Sequence, residues 1–270
     1  MTENWPYIFA LSSALVVLLL LVFRERAAKE VTFVDIGGAQ TKGRRETQAD
    51  AFAVSMSKSG YMMVIADGMG AETLGVKLSK IACQAIEEQY SYYGNNMNTA
   101  LFFKSAMAFA NKRVCNYLGG ERGGVSLVVA LMIGKRLHFA YAGNTMLAVL
   151  RNGELIPLFK GHTMREFAEK SYAEGKLERD DALARLYDKR VYRYIGHEEF
   201  DFEGEGAPVS LKAGDVAILM TDGVFSCLGM RNTGELLSGR GDGRTLAGKV
   251  IAACERAFCD DNASVIVAKI

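Results

Sequence analysis

The chain has 270 residues, half of them hydrophobic, and its 32 Lys and Arg residues nearly balance 31 Asp and Glu residues, for a net charge of +1. This composition excludes a disordered chain, and the near-zero net charge gives no basic field for binding nucleic acid. The five cysteines are scattered and show no Cys-x-x-Cys spacing. We therefore expect reduced thiols in a cytosolic compartment, rather than a disulfide framework or a zinc site.

An apolar run lies close to the N-terminus. Trp5–Phe23 contains no charged residue in 19 positions, and 12 of these are Leu, Ile, Val or Phe. At the helical rise the run would span about 28 Å, close to the ~30 Å hydrocarbon core of a bilayer. The sequence therefore predicts one transmembrane helix over residues 5–23.

The residues on either side of this run predict its orientation. Arg24, Arg26 and Lys29 follow it directly, and the positive-inside rule then places the C-terminal part of the chain in the cytoplasm. Residues 1–4 would lie outside the cytoplasm, and residues 24–30 would form a juxtamembrane linker. A cleaved signal peptide is the alternative, but such a peptide usually has a basic start, whereas Glu3 is the only charged side chain here.

Residues 31–270 are predicted to form one domain, because no Pro-, Gly- or Ser-rich linker divides them. Apolar and alternating runs predict strands at Val31–Asp35, Ala51–Ser57, Met62–Ala66, Ser126–Ile133, Leu137–Ala142, Met146–Leu150, Leu155–Phe159, Val216–Thr221 and Ala263–Lys269. Helical periodicity predicts helices at Thr73–Tyr90, Ala100–Leu118 and Leu246–Phe258, two short helices within Met164–Arg190, and a polar loop at Gly37–Gln48. Strands in runs, interrupted by pairs of helices, favour antiparallel sheets with helices packed outside them over a doubly wound parallel sheet.

Three apolar runs adjoin acidic residues. Met62–Ala66 leads into Asp67 and glycines, Val216–Met220 leads into Thr221-Asp222-Gly223, and Asp260-Asp261-Asn262 precedes the run from Ala263. One such copy alone is better explained as an Asp-Gly turn. The repetition favours a cluster of carboxylates with accessible glycine backbone, which suits a hard cation that prefers oxygen ligands.

Ten short motifs follow one another along the chain. They are Arg45 to Asp50, Ala66–Gly70, Gly124–Ser126, Tyr141–Met146, Arg151–Glu154, Gly161-His162, Glu174–Ala182, Tyr194–Gly196, Gly214–Gly223 and Asp261-Asn262. Their order and spacing resemble those of the protein phosphatase 2C family, the metal-dependent protein serine/threonine phosphatases, in its bacterial form. The resemblance implies an α+β fold, in which two antiparallel β-sheets form a sandwich flanked by α-helices on both faces.

The resemblance also implies the residues of a two-metal site. Two Mn²⁺ or Mg²⁺ ions would be held by Asp50, Asp67, the Gly68 carbonyl, Asp222 and Asp261, with Asp67 bridging both ions. Arg45 would bind the substrate phosphate through paired donors, because a guanidinium fork matches phosphate oxygens. The expected catalytic set is therefore Arg45, Asp50, Asp67, Asp222 and Asp261.

The implied reaction is hydrolysis of phosphoserine and phosphothreonine by metal-activated water. The expected substrates are cytosolic proteins phosphorylated by a serine/threonine kinase, and the expected enzyme is a monomer tethered to the cell membrane by one helix. No binding of nucleic acid is expected.

Some residues depart from the family pattern. Asn144 stands where an aspartate usually serves a third, weaker metal ion, so that third ion is in doubt. Ala49 and Gly161 also replace acidic residues, and His162 is more simply explained as a packed histidine than as a proton donor. These departures leave two alternatives open, a catalytically weak module that binds phosphoproteins or acts as a scaffold, and a membrane-anchored structural domain whose aspartates form turns.

Overall fold

The computed structural model of the protein describes residues 12–13, 15–18, 34–93, 98–202 and 206–270. Within these ranges ten strands form two five-stranded sheets, and all the strand pairs are antiparallel. The first sheet has the order β1 (Asp35–Thr41), β10 (Ala263–Lys269), β9 (Val216–Met220), β6 (Met146–Arg151) and β7 (Glu154–Pro157). The second has the order β2 (Asp50–Ser57), β3 (Gly60–Met69), β4 (Gly124–Ile133), β5 (Arg136–Ala142) and β8 (Val209–Ser210).

The two sheets pack face to face. Inward-facing apolar residues of both sheets are fully buried in one cluster, which includes Ile65 and Val128 from the second sheet and Leu147, Leu219 and Ile266 from the first. Alternate residues of each strand point outward, so each sheet has a second apolar face. Helices must cover those outer faces to remove them from water.

Two pairs of helices cover the outer faces. α1 (Glu72–Tyr92) and α2 (Thr99–Leu118) pack on the second sheet, whereas α5 (Asp222–Leu237) and α6 (Gly243–Arg256) pack on the first. Two shorter helices, α3 (Met164–Ala173) and α4 (Arg179–Ala184), lie between β7 and β8 in the chain. The predicted α+β sandwich is thus confirmed, and both short helices lie in the segment where the sequence predicted them.

An ion pair between a buried carboxylate and a partly exposed guanidinium ties β6 to the turn before β9. The Asp215 carboxylate accepts hydrogen bonds from Arg151 Nε at 3.1 Å, from Arg151 Nη2 at 2.6 Å and from the Lys212 backbone N–H at 2.8 Å. The Asp215 side chain is only 5% exposed. The Arg151 guanidinium and the Lys212 N–H together hold the pKa of Asp215 below its usual value.

The first strand differs from its prediction. The sequence predicted a strand at Val31–Asp35 and a loop from Gly37, but β1 runs from Asp35 to Thr41; residues 31–33 lie outside the described residues. A Cβ at Gly37 would meet the Arg244 backbone at 2.2 Å, and one at Gly38 would meet the Phe52 ring at 2.5 Å. Close packing therefore selects glycine here, and glycine removes the alternating pattern that marks a strand.

Three further elements differ, and one of them, β8, was not predicted. β3 extends to Met69, so Asp67 lies within the strand rather than after it. α5 was not predicted, although it begins directly at Asp222. Its sequence contains Gly223, Gly229 and Gly234, and this glycine content weakens a helical pattern.

Most of the predicted transmembrane helix, residues 5–23, lies outside the described residues. The described parts, 12–13 and 15–18, are helical and exposed to solvent. In the described ranges no helix combines the length and the apolar character needed to cross a membrane.

Candidate active site

Four aspartates meet at one end of the sandwich. Asp50 and Asp67 belong to the second sheet and lie directly opposite each other in the β2–β3 register. Asp222 is the first residue of α5, just after β9, and Asp261 lies just before β10, so the first sheet supplies the other two. Arg45 reaches the same place from the loop between β1 and β2.

These residues surround a cleft of about 310 Å³. Its lining includes Arg45, Asp67, Gly68, Asp222 and Asp261. Asp50 is 3% exposed, and it lies beneath the cleft rather than on its surface. The structure thus brings together every residue of the predicted catalytic and metal-binding sets.

Two residues that were not assigned a role in the sequence hold the two sheets in register at this end. The Asn262 side chain accepts a hydrogen bond from Ala49 N–H at 2.7 Å and donates to the Lys42 and Thr47 carbonyls, both at 2.9 Å. Thr221 Oγ1 donates to Asp50 Oδ2 at 2.8 Å and accepts from the Ser264 N–H at 2.9 Å. In the sequence, the only indication of a role was that Thr221 precedes Asp222 and Asn262 follows Asp261, both candidate metal ligands.

Glycine is required where β3 meets α1. A Cβ on Gly68 would lie 2.0 Å from the Gly75 carbonyl oxygen, and a Cβ on Gly75 would lie 2.4 Å from the Gly68 oxygen. The helix therefore packs directly on the strand backbone, and both glycines line the cleft. This contact fixes Gly68 beside Asp67.

The carboxylates repel one another in a desolvated environment. Burial raises the pKa of Asp50 to about 7, and the charges of Asp222 and Asp261 act in the same direction. Burial also raises the pKa of Asp67 well above its usual value, followed by repulsion from Asp50, Asp222 and Asp261. The pKa of Asp222 is raised by burial and then by Asp261. A bound cation would reverse these shifts, because it stabilises the ionised form of each carboxylate.

Neighbouring side chains hold three of these carboxylates. Arg45 Nη2 donates to Asp261 Oδ2 at 2.9 Å, Asn144 Nδ2 donates to Asp222 Oδ2 at 2.9 Å, and Thr221 holds Asp50. In the described part of the chain no three His, Cys, Asp or Glu side chains are already grouped to ligate one metal ion. Ion binding would therefore require small rotations of these side chains. The donor set nevertheless fits Mn²⁺ or Mg²⁺, because it consists only of carboxylate and carbonyl oxygens with unbalanced negative charge.

The match to known families decides the classification. Residues 38–237 match the sequence model of the family described as Protein phosphatase 2C, which is more than half of the 270-residue chain. The chain belongs to the protein phosphatase 2C family. This family comprises metal-dependent serine/threonine phosphatases. No curated protein matches the chain.

Solved protein phosphatase 2C structures share its fold. The serine/threonine phosphatase of S. agalactiae superposes with a TM-score of 0.76 at 17% identity, covering 88% of this chain and 100% of that one. Stp1 from Staphylococcus aureus gives 0.76 at 16% identity, covering 89% and 96%. The catalytic domain of the phosphatase PstP, in complex with two manganese ions, gives 0.70 at 22% identity, covering 87% and 97%.

The departures from the protein phosphatase 2C pattern have visible consequences. Asn144 uses its amide nitrogen on Asp222, while its buried Oδ1 atom meets no hydrogen-bond partner among the described residues. Ala49 lines the cleft but supplies no side-chain oxygen. His162 is buried, stacks on Tyr141 at 4.8 Å between ring centroids, and accepts a hydrogen bond at Nδ1 from the Gly143 N–H. It is therefore a packed histidine, as the sequence indicated.

Proposed function

We propose that this protein hydrolyses phosphoserine and phosphothreonine in proteins with the help of two Mn²⁺ or Mg²⁺ ions. The observation that carries the proposal is the convergence of Asp50, Asp67, Asp222 and Asp261, two from each sheet, on one cleft with Arg45 in its wall. Four carboxylates, of which Asp261 is 47% exposed, are offset among the described residues by the Arg45 guanidinium and the charge of Lys189, so the cluster has excess negative charge. Divalent ions would neutralise that charge.

Each residue then has a distinct task. Asp67, Asp222 and Asp261 would hold the ions from three sides of the cleft, Asp50 would support them from below, and the Gly68 carbonyl would add a neutral ligand. When bound, two such ions lower the pKa of water and neutralise charge on the phosphoryl group.

Arg45 would orient the substrate. Its side chain is 60% exposed, and it contacts Asp261 through Nη2. Further N–H donors of the guanidinium remain for phosphate oxygens. By contrast, Arg44 pairs with Asp260 on an exposed surface, where both side chains are at least 70% accessible. Such a pair contributes little, and we assign it no role in the reaction.

We propose further that the enzyme is a monomer tethered to the cell membrane by residues 5–23. The length and apolar character of this segment support the tether, as does the exposure of helical Leu15, Val16, Val17 and Leu18. The cationic residues that follow it favour a cytoplasmic phosphatase domain, with phosphoproteins made by a serine/threonine kinase as its substrates.

A weakly active phosphoprotein-binding module is the second candidate. It is favoured by Asn144, which brings an uncharged amide to Asp222 where the family carries a carboxylate. Ala49 removes another oxygen from the cleft wall. Because the site has fewer charges, the affinity for metal ions would decrease while the fold stays intact.

Release of phosphate from a phosphothreonine peptide tests the proposal. We expect the full-length chain in detergent to require Mn²⁺ or Mg²⁺ and to lose activity in EDTA. Asp67→Asn should reduce kcat by about 10²-fold or more, because it removes a charge from the ion cluster. Cys83→Ser is the control, since Cys83 is buried outside the cleft. Undiminished activity in EDTA would refute the metal mechanism, whereas Mn²⁺ and phosphopeptide binding without turnover would favour the second candidate.

A further inference from the structure

A groove borders the catalytic cleft on the side of Asp261. It has a volume of about 480 Å³, and its wall includes Lys189 and residues 257–261. We refer to it as the Phe258 groove. Asp222 and Asp261 line both the groove and the cleft, so a ligand that fills the cleft lies directly beside the groove.

Phe258 adopts a backbone conformation that suits glycine. Its φ is 53°, and among the described residues the only other non-glycine residue with a positive φ is Asn152, at 54°. Asn152 lies in the turn between β6 and β7, where asparagine is favoured because its short polar side chain tolerates the left-handed region. A bulky aromatic residue lacks that compensation, since its Cβ crowds the following carbonyl oxygen.

The end of α6 explains why residue 258 is left-handed, but not why it is a phenylalanine. The Phe258 N–H donates to the Glu255 carbonyl and the Cys259 N–H donates to the Cys254 carbonyl, both at 3.1 Å. These two bonds form a Schellman motif, whose left-handed position is usually occupied by glycine. Phenylalanine at this position lowers stability, and residues that lower stability are often retained because their side chains have a function.

The Phe258 side chain does not pack in the core. The residue is 77% exposed, and within the described ranges it belongs to none of the three apolar core clusters. A single exposed apolar residue is ordinary by itself. Here the exposure is combined with an unfavourable backbone conformation and with a position on a groove beside the candidate active site. The combination indicates that the ring contacts a molecule outside the chain.

The surroundings of the ring favour an aliphatic partner. The charged side chains nearby already interact with one another, since Asp260 pairs with Arg44 at 3.2 Å and the charge of Lys189 acts on Asp222. An exposed aromatic ring gains most when an aliphatic side chain covers it, because apolar surface of both groups is then removed from water. The partner expected at Phe258 is therefore a side chain such as leucine.

We propose that Phe258 contacts an aliphatic side chain of the substrate close to the phosphorylated residue, and that this contact determines a sequence preference. The inference rests on the proposed function, since it places the phosphate in the neighbouring cleft. Because Asp222 and Asp261 border both cavities, a polypeptide whose phosphate lies in the cleft extends past the groove. Successive residues of an extended peptide advance by about 3.3 Å, so the aliphatic residue should lie within about three positions of the phosphoresidue.

A positional scan tests the inference. The probes are phosphothreonine peptides in an alanine background, in which one leucine is moved through the positions on either side of the phosphoresidue. We expect leucine at one position to raise kcat/KM about 10-fold over the all-alanine peptide, the size expected when a large part of one aliphatic side chain is covered. Phe258→Gly should reduce this ratio to less than about twofold, whereas Phe258→Tyr, which keeps the ring, should retain it.

The stability of Phe258→Gly separates a role in recognition from a role in the fold. Glycine adopts the left-handed conformation without crowding, so the Tm of this variant should be about 2 °C higher than that of the wild type. Because the peptide preference is a ratio, a general change in activity does not imitate its loss.

Tyr92→Gly is the matched control. It also removes an exposed aromatic ring, since Tyr92 is 74% exposed. Tyr92 is the last residue of α1, about 25 Å along the helix from Gly75 in the wall of the cleft. This variant should leave the ratio between the peptides unchanged.

A binding series distinguishes failure of this inference from failure of the proposed function. Non-hydrolysable phosphonate peptides of the same set are titrated into the protein by calorimetry in the presence of Mn²⁺. Loss of all turnover with Mn²⁺ would refute the proposed function, and the binding series would still test the contact with Phe258.

Three results would overturn the inference. The first is equal kcat/KM and equal binding for leucine at all positions. The second is a leucine preference that survives Phe258→Gly unchanged. The third is a lower Tm of Phe258→Gly, because that would assign the ring to the stability of the fold instead.

Discussion

Binding of Mn²⁺ should release protons from the carboxylate cluster. Burial holds the pKa of Asp50 at about 7 in the metal-free protein, whereas the same carboxyl titrates near ~3.9 in an unfolded chain. This raised pKa favours the folded state fully below the unfolded value, and the advantage is lost as the pH rises through about 7. The difference of about three pH units corresponds to about 4 kcal/mol. An ion that requires the ionised carboxylate must displace the proton.

The number of protons released can be predicted from this pKa. At pH 6 Asp50 alone should release about 0.9 proton, and at pH 8 about 0.1. Asp67 adds to this release, because its pKa is also raised. The Asp50 proton alone should increase the apparent Mn²⁺ affinity by up to about 10-fold per pH unit below 7 and by little above it, and the Asp67 proton should steepen this dependence.

Calorimetry in buffers of different ionisation enthalpy measures the protons released. Asp50→Asn should abolish its share of the release at pH 6. Asp260→Asn is the control, since Asp260 is 89% exposed on the neighbouring loop, and it should leave the proton count unchanged. Proton release that is near zero at both pH values would show that the carboxylates are already ionised without metal, and the electrostatic argument for the ion site would fail.

Three other properties can be predicted. Asn144→Asp should lower the Mn²⁺ concentration for half-maximal turnover, because it restores a charge beside Asp222, whereas Asn144→Ala should not lower it. Identical Mn²⁺ titrations for the wild type and both variants would reject a third-ion site. Asp215→Asn should lower the free energy of unfolding by about 1–2 kcal/mol in urea at pH 7, because it weakens the charge-assisted hydrogen bonds between the buried carboxylate and the partly exposed Arg151. That contribution is present above the usual carboxyl pKa and should be lost as the pH falls through the depressed pKa, while Glu235→Gln at an exposed pair should have almost no effect. Full-length protein should stay with membranes in high salt and a chain starting near Lys29 should not; cleavage by protease added outside intact cells would contradict the cytoplasmic orientation.

The strands and helices with clear periodicity could be predicted from the sequence. β4 is a continuous run of apolar residues, which predicts a buried strand. α2 and α6 have apolar residues at helical spacing, which predicts a helix in each case. β1 could not be predicted, because Gly37 and Gly38 are selected by contacts with residues far away in the sequence. α5 was hidden for a related reason, since Gly223 is selected by close contact with the Asn262 carbonyl and Gly229 by a positive φ of 71° at a kink, and both weaken a helical pattern.

The site was predictable residue by residue but not as a geometry. The carboxylates could be named because each adjoins an apolar run in a recognisable order. The hydrogen bonds of Asn262 and Thr221 could not be predicted, because they join segments about 170 to 220 residues apart.

The division of the aspartates between the two sheets makes the ions a cross-link of the sandwich. Two carboxylates lie in strands of the second sheet, and the other two lie beside the ends of first-sheet strands, so sliding or separating the sheets would pull the ion site apart. Ion binding and packing between the sheets are therefore thermodynamically linked. Ile266 is an apolar residue of the core between the sheets and is not a candidate metal ligand. A variant that weakens the packing at Ile266 should nevertheless bind Mn²⁺ less tightly. Added Mn²⁺ should restore part of the stability that this variant loses. In a cell, the supply of metal would then help to set how much of this protein persists as well as how fast it works.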